Sequence, residues 1–142
     1  MPDISLGVLL FIPYRHLEQR ILAGLAASGH PITLAQARFA QRIDDAGSRL
    51  TQLAESAQVT KQTAQFLVDQ LESAGYVERA PDPADARAKL VRITPRGQDV
   101  IATATAIQSA IEQEWRDHLG PTAYDDLFAS LSRLREITDP YL

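Results

Sequence analysis

One stretch near the middle of the sequence places amide, cationic and aromatic side chains on a single face. Between positions 61 and 74 the apolar residues recur at spacings of three and four, which predicts an amphipathic helix with a buried stripe of Ala64, Leu67, Val68 and Leu71. At about 100° per residue, the opposite face is centred on Gln62, Phe66 and Asp69, with Lys61 and Gln65 to one side. These side chains are predicted to project away from the protein.

The chemistry available to such a face is hydrogen bonding to the edges of DNA bases. In the major groove a glutamine can bond N6 and N7 of adenine together, which discriminates between bases by roughly 1–3 kcal/mol. We predict that Gln62 and Gln65 read bases and that Lys61 contacts a phosphate or a guanine. The alternative, which the residue types leave open, is a face that is merely solvated.

Phe66 is the apolar exception on this face. Its ring could contact the 5-methyl group of a thymine in the major groove. It could equally be an isolated surface phenylalanine, which is unremarkable in a globular protein. We include Phe66 in the predicted DNA-binding set with both interpretations open.

Three threonines lie within or shortly before the predicted helix over 61–74. Thr51 and Thr60 are predicted to cap short helices over 52–57 and 61–74, because a threonine hydroxyl accepts from the free N–H groups of a first turn. Helix N-termini also attract phosphate, so both residues are predicted DNA contacts, together with Thr63. Two helices joined by so short a turn indicate a helix-turn-helix.

A second group of cations follows this helix pair. Short segments rich in apolar and β-branched residues, 76–80 and 88–93, flank turn residues at 81–87, which predicts a β-hairpin with Arg87 at its tip. Arg87 and Lys89 are predicted to contact DNA, and Asp85 to orient the Arg87 guanidinium through a charge-assisted hydrogen bond. The alternative for Asp85 and Arg87 is an ordinary surface ion pair of little worth.

Other chemistries are excluded or unsupported by the sequence. The chain has no cysteine, which removes thiolate catalysis, disulfides and cysteine-bound zinc. Its three histidines fall on different predicted elements and lack the spacing of a metal-binding helix. No phosphate-binding glycine loop or nucleophile elbow is present. We therefore expect no catalytic residues, no metal, no cofactor and no enzyme activity.

The elements that must position these residues are mostly helical. Beyond those named above, helices are predicted over 4–28, 34–43 with Thr33 as cap, 95–119 with Thr94 as cap, and 122–138. Pro13 either kinks the first helix or marks its start. The predicted fold class is mainly α with a small β-hairpin wing, a winged helix-turn-helix with flanking dimerisation helices. The flanking helices carry apolar stripes that need a partner surface, and a second copy of the chain is the simplest one.

Length, composition and charge agree with this interpretation. The chain has 142 residues, 45% hydrophobic and 23% charged, as expected for one globular domain. It has no apolar run of membrane-spanning length and no export signal, so we expect a cytoplasmic protein without membrane contact. The net charge is −4, but residues 60–96 carry six basic and five acidic side chains, whereas 97–142 carry three and eight. A chain with this distribution can still bind DNA through a local basic element.

Several segments together resemble the MarR family of transcriptional regulators. The helix-turn-helix resembles the family's in LTQLAE at 50–55, VTKQT at 59–63 and LVDQLESAGYVER at 67–79. The wing is the most specific part, with DPADARAK at 82–89, then VRIT at 91–94 and Gly97. TLAQ at 33–36 resembles the opening of the family's second helix. Gln58 departs from the family, which often has glycine there, and would cost about 1 kcal/mol if its φ is positive.

The resemblance implies an arrangement for the whole chain. Residues 1–142 would form a single MarR-like domain, with 33–97 as the winged helix-turn-helix and 1–30 and 98–142 as dimerisation helices. A homodimer would bind a pseudo-palindromic site in double-stranded DNA, and the wing arginine, Arg87 here, would enter the minor groove. Many members are released from DNA by small aromatic or phenolic effectors.

The position of an effector site is open from the sequence. Tyr14, Phe39 and Trp115 are aromatic residues that could border a cleft, and Arg15 or Arg38 could pair with an anionic ligand. We predict an effector pocket at Tyr14, Arg38 and Phe39. The alternative is that the aromatic residues pack the dimer core. The predicted function is a ligand-responsive homodimeric repressor, with a winged-helix protein-interaction module lacking an operator as the alternative.

Overall fold

A computed structural model describes residues 3–140, and within that range the chain forms six helices and one two-stranded hairpin. The elements are α1 (Leu6–Ala27), α2 (Leu34–Ala40), α3 (Leu50–Ser56), α4 (Lys61–Ser73), β1 (Val77–Asp82), β2 (Asp85–Ile93), α5 (Pro95–Leu119) and α6 (Pro121–Thr138). The predicted fold class, mainly α with a β-hairpin wing, is confirmed. Residues 1–2 and 141–142 of the predicted 1–142 domain lie outside the described residues.

The structure excludes one of the two roles left open for Pro13, and it shows that the predicted cap at Thr51 is wrong. α1 begins at Leu6, where the Ser5 hydroxyl accepts from the Val8 N–H at 3.3 Å, and it continues through Pro13. Pro13 therefore does not mark a helix start. α3 begins at Leu50, so Thr51 lies inside its first turn and is not the cap. The cap position belongs to Arg49, whose N–H donates to the Gln52 side chain at 3.3 Å.

The other predicted caps are confirmed. Thr33 and Gln36 form a reciprocal capping box at the start of α2. The Thr60 hydroxyl accepts from the Thr63 N–H at 3.0 Å and opens α4. The Thr94 hydroxyl accepts from the Gly97 N–H at 3.1 Å in the first turn of α5.

The hairpin is longer than the sequence predicts, and its turn is shorter. β1 and β2 pair antiparallel from Val77 opposite Ile93 to Pro81 opposite Lys89, and then Asp82 faces Asp85. Only Pro83 and Ala84 form the turn between the strands. The predicted turn over 81–87 is therefore wrong, since three residues of it, 85–87, belong to β2. The jump in register leaves 86–88 without partners in β1, so they form a bulge beside the turn.

The hydrophobic core lies beneath α4 and the hairpin. Ala64, Leu67, Val68 and Leu71 of α4 are 0–6% exposed, as the periodicity predicts. They pack in one cluster with Phe39, Leu53, Ala54, Tyr76, Val77 and Val91. The backbone of Ser48 also pairs with Val91, with N–O distances of 3.0 and 2.8 Å, and joins the segment before α3 to the outer edge of β2. These contacts fix α4 relative to the wing.

The chain divides into two compact units, at residues 1–104 and 105–142. The first holds the winged helix-turn-helix, α1 and the beginning of α5. The second holds the rest of α5, where Ile111 is fully buried, and α6, whose described residues are all at least partly exposed. The predicted division into 33–97 and flanking dimerisation segments stays a prediction.

Candidate nucleic-acid interface

The face of α4 opposite the core is open to solvent. Its exposed residues are Lys61, Gln62, Thr63, Gln65, Phe66 and Asp69. The structure thus exposes all five residues that the periodicity places on this face, together with Thr63. Because α4 has 13 residues, this face is about 20 Å long, enough to span several base pairs in a major groove.

The start of α4 is well ordered by its threonines. The Thr60 hydroxyl donates to the Thr63 hydroxyl at 3.0 Å while accepting from the Thr63 backbone. Both side chains are exposed, so their oxygens remain close to solvent at the positive end of the helix dipole. Thr51 is also exposed, on the first turn of α3, although it caps nothing.

Arg79 of β1 clamps two carboxylates of α4. Its guanidinium donates to Glu72 at 2.6 Å and to Asp69 at 2.7 Å, and its backbone N–H donates to Glu72 at 3.3 Å. Sequence reasoning missed this contact, although an acidic pair spaced by three residues on one helix face was the available signal. The clamp counters negative charge beside the predicted reading face and fixes α4 to the wing.

At the tip of the wing, Arg87 projects into solvent. Its side chain is 95% exposed, and it lies in the bulge of β2 next to the turn. The Asp85 carboxylate accepts a hydrogen bond from the backbone N–H of Arg87 at 3.0 Å. The distance from the same carboxylate to Nε of the Arg87 guanidinium is longer, at 3.6 Å. Asp85 thus orders the bulge backbone more than it holds the side chain.

The wing is anchored by a second carboxylate. Asp82 is 9% exposed; one of its oxygens accepts from Nε and Nη2 of Arg49 at 2.9 and 2.7 Å, and the other from the Ala84 N–H at 2.9 Å. The Ala84 hydrogen bond, followed by the Arg49 contact, holds the pKa of Asp82 below its usual value. Since the folded pKa is lowered, this contribution to stability is present at neutral pH and is lost only as acid protonates the carboxylate.

The remaining cations of β2 and of the first turn of α5 are placed differently from one another. Lys89 is exposed on β2. Arg92 pairs across the hairpin with Glu78 at 3.0 Å. Arg96 donates to the Ala74 carbonyl at 3.0 Å and stacks over the Tyr76 ring at 4.9 Å. Of these three cations, Lys89 has the placement best suited to a phosphate.

The first unit also contains a cavity of about 290 Å³. Its wall is mainly apolar and includes Ile21, Leu25, Tyr76, Ile93, Ile101 and Ala104. Gln41, Asp45 and Gln98 contribute polar groups. A mainly apolar wall with a few polar groups is typical of small-molecule sites.

The predicted effector residues lie outside this cavity wall. Phe39 is 1% exposed in the core cluster. Arg38 donates to both carboxylate oxygens of Glu18 at 2.9 and 3.0 Å, which lowers the pKa of Glu18. Burial, and then the hydrogen bond with Glu18, raises the pKa of Tyr14. The sequence offered no signal for the cavity, because its lining residues come from six separate elements and the loops between them and resemble ordinary core positions.

Within residues 3–140, no group of three or more histidine, aspartate or glutamate side chains is arranged to hold a metal ion. Within the same range, no helix has the length and apolar character needed to cross a membrane.

The sequence matches the family model described as MarR family over residues 30–88. That range contains α2, α3, α4, β1 and the exposed Arg87. Residues 30–88 of the chain thus belong to the MarR family. The resemblance predicted from the helix-turn-helix and wing motifs is thereby confirmed.

Among curated proteins, this MarR-family chain is similar to the transcriptional regulator HosA of Escherichia coli O111:H-. The two are 32% identical over 90 residues, which cover 63% of this chain and 66% of HosA. The chain thus matches just under two thirds of the relative's length. HosA is a transcriptional regulator, which is the class of protein predicted for this chain.

Solved structures extend the similarity to nearly the whole chain. The crystal structure of MarR has a TM-score of 0.76 and 25% identity, covering 95% of this chain and 98% of that one. The MarR family protein Rv2887 of Mycobacterium tuberculosis, solved as a complex with salicylic acid, has a TM-score of 0.68 and 25% identity, covering 94% and 98%.

Proposed function

We propose that this MarR-family chain is a homodimeric repressor that binds a pseudo-palindromic site in double-stranded DNA. The observation that carries the proposal is the joint exposure of the α4 face and of Arg87 on one winged helix. Gln62, Gln65 and Lys61 supply groups for the major groove. Arg87, at 95% exposure, supplies a cation for a narrow minor groove, whose negative potential attracts arginine.

The distribution of charge supports a binding mode that depends on few cations. The chain carries a net charge of −4, and α4 contributes one cation, Lys61. The Arg79 clamp counters Asp69 and Glu72, which would otherwise repel phosphates. Binding then depends on Lys61, Arg87 and Lys89 for phosphate or groove contacts and on the glutamines for base contacts.

Apolar surface on the helices outside the winged helix supports the dimer. α1 exposes Leu6, Leu9, Leu10 and Phe11 at 40–67%, and α6 exposes Leu127, Leu131 and Leu134 at 38–42%. Exposed apolar residues at helical spacing on two helices form surfaces that a monomer rarely leaves in water. A second copy of the chain presents the same surfaces and can cover them in a closed assembly.

The cavity supports an effector site. Its volume of about 290 Å³ and apolar wall suit a small aromatic molecule, and salicylic acid is the ligand of the similar Rv2887 complex. We place the effector in this cavity, distinct from the site predicted at Tyr14, Arg38 and Phe39. A ligand releases the DNA only if it binds the DNA-incompetent state more tightly than the competent one. Steric occupation of a promoter by the unliganded dimer would then account for repression.

The test is in-vitro selection from random duplex DNA with the wild-type chain, Arg87→Ala and Arg133→Ala. The last variant removes an exposed arginine of α6 and serves as the matched control. We expect the wild type and the control to enrich a near-palindrome with half-sites about one helical turn apart. Arg87→Ala should bind that sequence more weakly and with a salt slope shallower by about 0.9 for each lost contact.

Three outcomes are informative. If Arg87→Ala binds the palindrome as tightly as the wild type does, the chain is still a DNA-binding regulator, but Arg87 of the wing does not contribute to binding. A single asymmetric site would contradict the dimeric binding mode. No enrichment at low salt would contradict DNA binding and favour a winged-helix protein-interaction module.

A further inference from the structure

We infer that Phe66 reads the 5-methyl group of a thymine, and that this thymine lies within about two base steps of an adenine read by Gln62 or Gln65. The inference rests on the proposed function, and it assigns a base preference to one residue of the reading face. It also fixes which chemical group of the operator the residue recognises.

The exposure of Phe66 is the first observation. Its residue surface is 60% exposed, while the four core residues of the same helix are 0–6% exposed. The ring is therefore not required for packing within the protein. It projects from the second turn of α4, between Gln62 one turn before it and Asp69 one turn after it.

The surroundings of the ring restrict what it can bind. The other exposed side chains of α4 near it are polar, namely Gln62, Gln65, Asp69 and Gln70. A protein-docking surface is usually a contiguous apolar patch, which a single ring among amides does not provide. In the major groove, by contrast, the apolar feature of the base edges is the thymine methyl group, and phenylalanine is one of the residues that contacts it.

The helix geometry sets the distance between the bases that are read. With a rise of about 1.5 Å per residue, Phe66 lies roughly 6 Å along α4 from Gln62 and one residue from Gln65. Successive bases of one strand are about 3.4 Å apart. An amide and the ring on this face therefore reach bases at most about two steps apart.

The charge next to the ring also suits a groove contact. Asp69 accepts from Arg79 at 2.7 Å, so the carboxylate nearest to Phe66 on the C-terminal side carries its own counter-charge. Without that partner, Asp69 would repel the phosphates that flank the thymine. The Arg79 clamp thus allows an apolar contact on a face that has few cations.

The experiment replaces thymines, one at a time, by deoxyuridine in the duplex enriched by in-vitro selection. Loss of one methyl in each half-site should weaken wild-type binding by about fourfold for each contact, the value of one buried methyl-sized group. Deoxyuridine at thymines outside the half-sites is the matched control. 5-Bromodeoxyuridine, whose bromine replaces the methyl group, should restore the affinity.

The same duplexes are then tested with the protein variants Phe66→Ala and Phe66→Leu. Phe66→Ala should bind thymine and deoxyuridine duplexes equally, and Phe66→Leu should keep part of the difference. The inference would be overturned if wild-type affinity were unchanged by the loss of any thymine methyl group. It would also be overturned if deoxyuridine weakened binding by Phe66→Ala as much as binding by the wild type. Either result would leave the proposed function intact. Failure of the wild type to bind any selected duplex would overturn both.

Discussion

Gln58 has a φ of 56°, in the left-handed region that costs an L-residue with a side chain about 1–2 kcal/mol. It lies in the turn between α3 and α4, and its N–H donates to the Glu55 carbonyl at 3.1 Å. The strain sits directly before the predicted reading helix. Glycine adopts this conformation without a steric penalty, at the cost of a more flexible unfolded chain.

We predict that Gln58→Gly raises the free energy of unfolding by about 1 kcal/mol, because relief of the steric strain exceeds the added entropy of the unfolded chain. Urea denaturation followed by circular dichroism measures the change. Gln58→Ala is the control, since alanine keeps the side-chain carbon and should give no such gain. A glycine variant less stable than the alanine variant would contradict the prediction.

Individual residues differ in how far the sequence determines them. The exposed positions of α4 follow from helical periodicity alone, because the buried stripe fixes the opposite face. The hydrogen-bond partners of polar side chains do not follow from periodicity, because they are distant in the chain. Arg79 bonds Asp69 across 10 positions, and Arg49 bonds Asp82 across 33 positions. Phe39 illustrates the same limit, because an aromatic residue on a short helix gives no sign of whether it faces a core or a cleft.

At the scale of elements, long periodic helices are predictable and the hairpin is only partly so. The positions of α4 and α5 follow from their apolar spacing and their caps at Thr60 and Thr94. The strands extend beyond their apolar segments because Asp82, held by Arg49 and Ala84, prolongs the pairing through residues that resemble a turn. α3 starts at Leu50, two residues after Ser48, and the pairing of Ser48 with Val91 is a contact that local sequence does not encode.

The cavity beside α5 gives a prediction at this scale. Ala104 lines it, whereas Ala102 lies on the exposed side of the same helix. Ala104→Leu should fill part of the space and weaken salicylate binding by about tenfold or more, since overpacking costs roughly 1–3 kcal/mol. Calorimetric titration of salicylate into the two leucine variants and the wild type measures the effect.

Ala102→Leu is the matched control and should bind salicylate as the wild type does. If both variants bind equally well, the effector does not occupy this cavity. If the wild type does not bind salicylate or other small phenols, the effector part of the proposal fails while the DNA-binding part is unaffected.

For the molecule as a whole, the proposal requires that two copies associate through apolar helix faces. Leu131 lies on the exposed apolar stripe of α6, and Ala129 lies on the opposite side of that helix. We predict that Leu131→Glu shifts the protein from dimer to monomer, because the interface would have to bury a carboxylate without a partner. Sedimentation velocity at several protein concentrations measures the shift.

Ala129→Glu adds the same charge to the same helix and should leave the dimer intact. Circular dichroism of both variants checks that α6 remains helical. A Leu131→Glu protein that still sediments as a dimer would exclude this stripe from the interface. A wild-type chain that is monomeric at all concentrations would contradict the homodimer itself.

The Arg79 clamp has a consequence for operator architecture. Because this arginine ties β1 to two carboxylates of α4, the distance from the reading face to the wing is fixed within each copy. In a regulator of the proposed kind, a base pair inserted inside a half-site therefore cannot be accommodated by moving the wing along the groove. An insertion between the half-sites is opposed by the dimer contacts instead, so the arms of the operator and its central spacer are set by two separate parts of the protein.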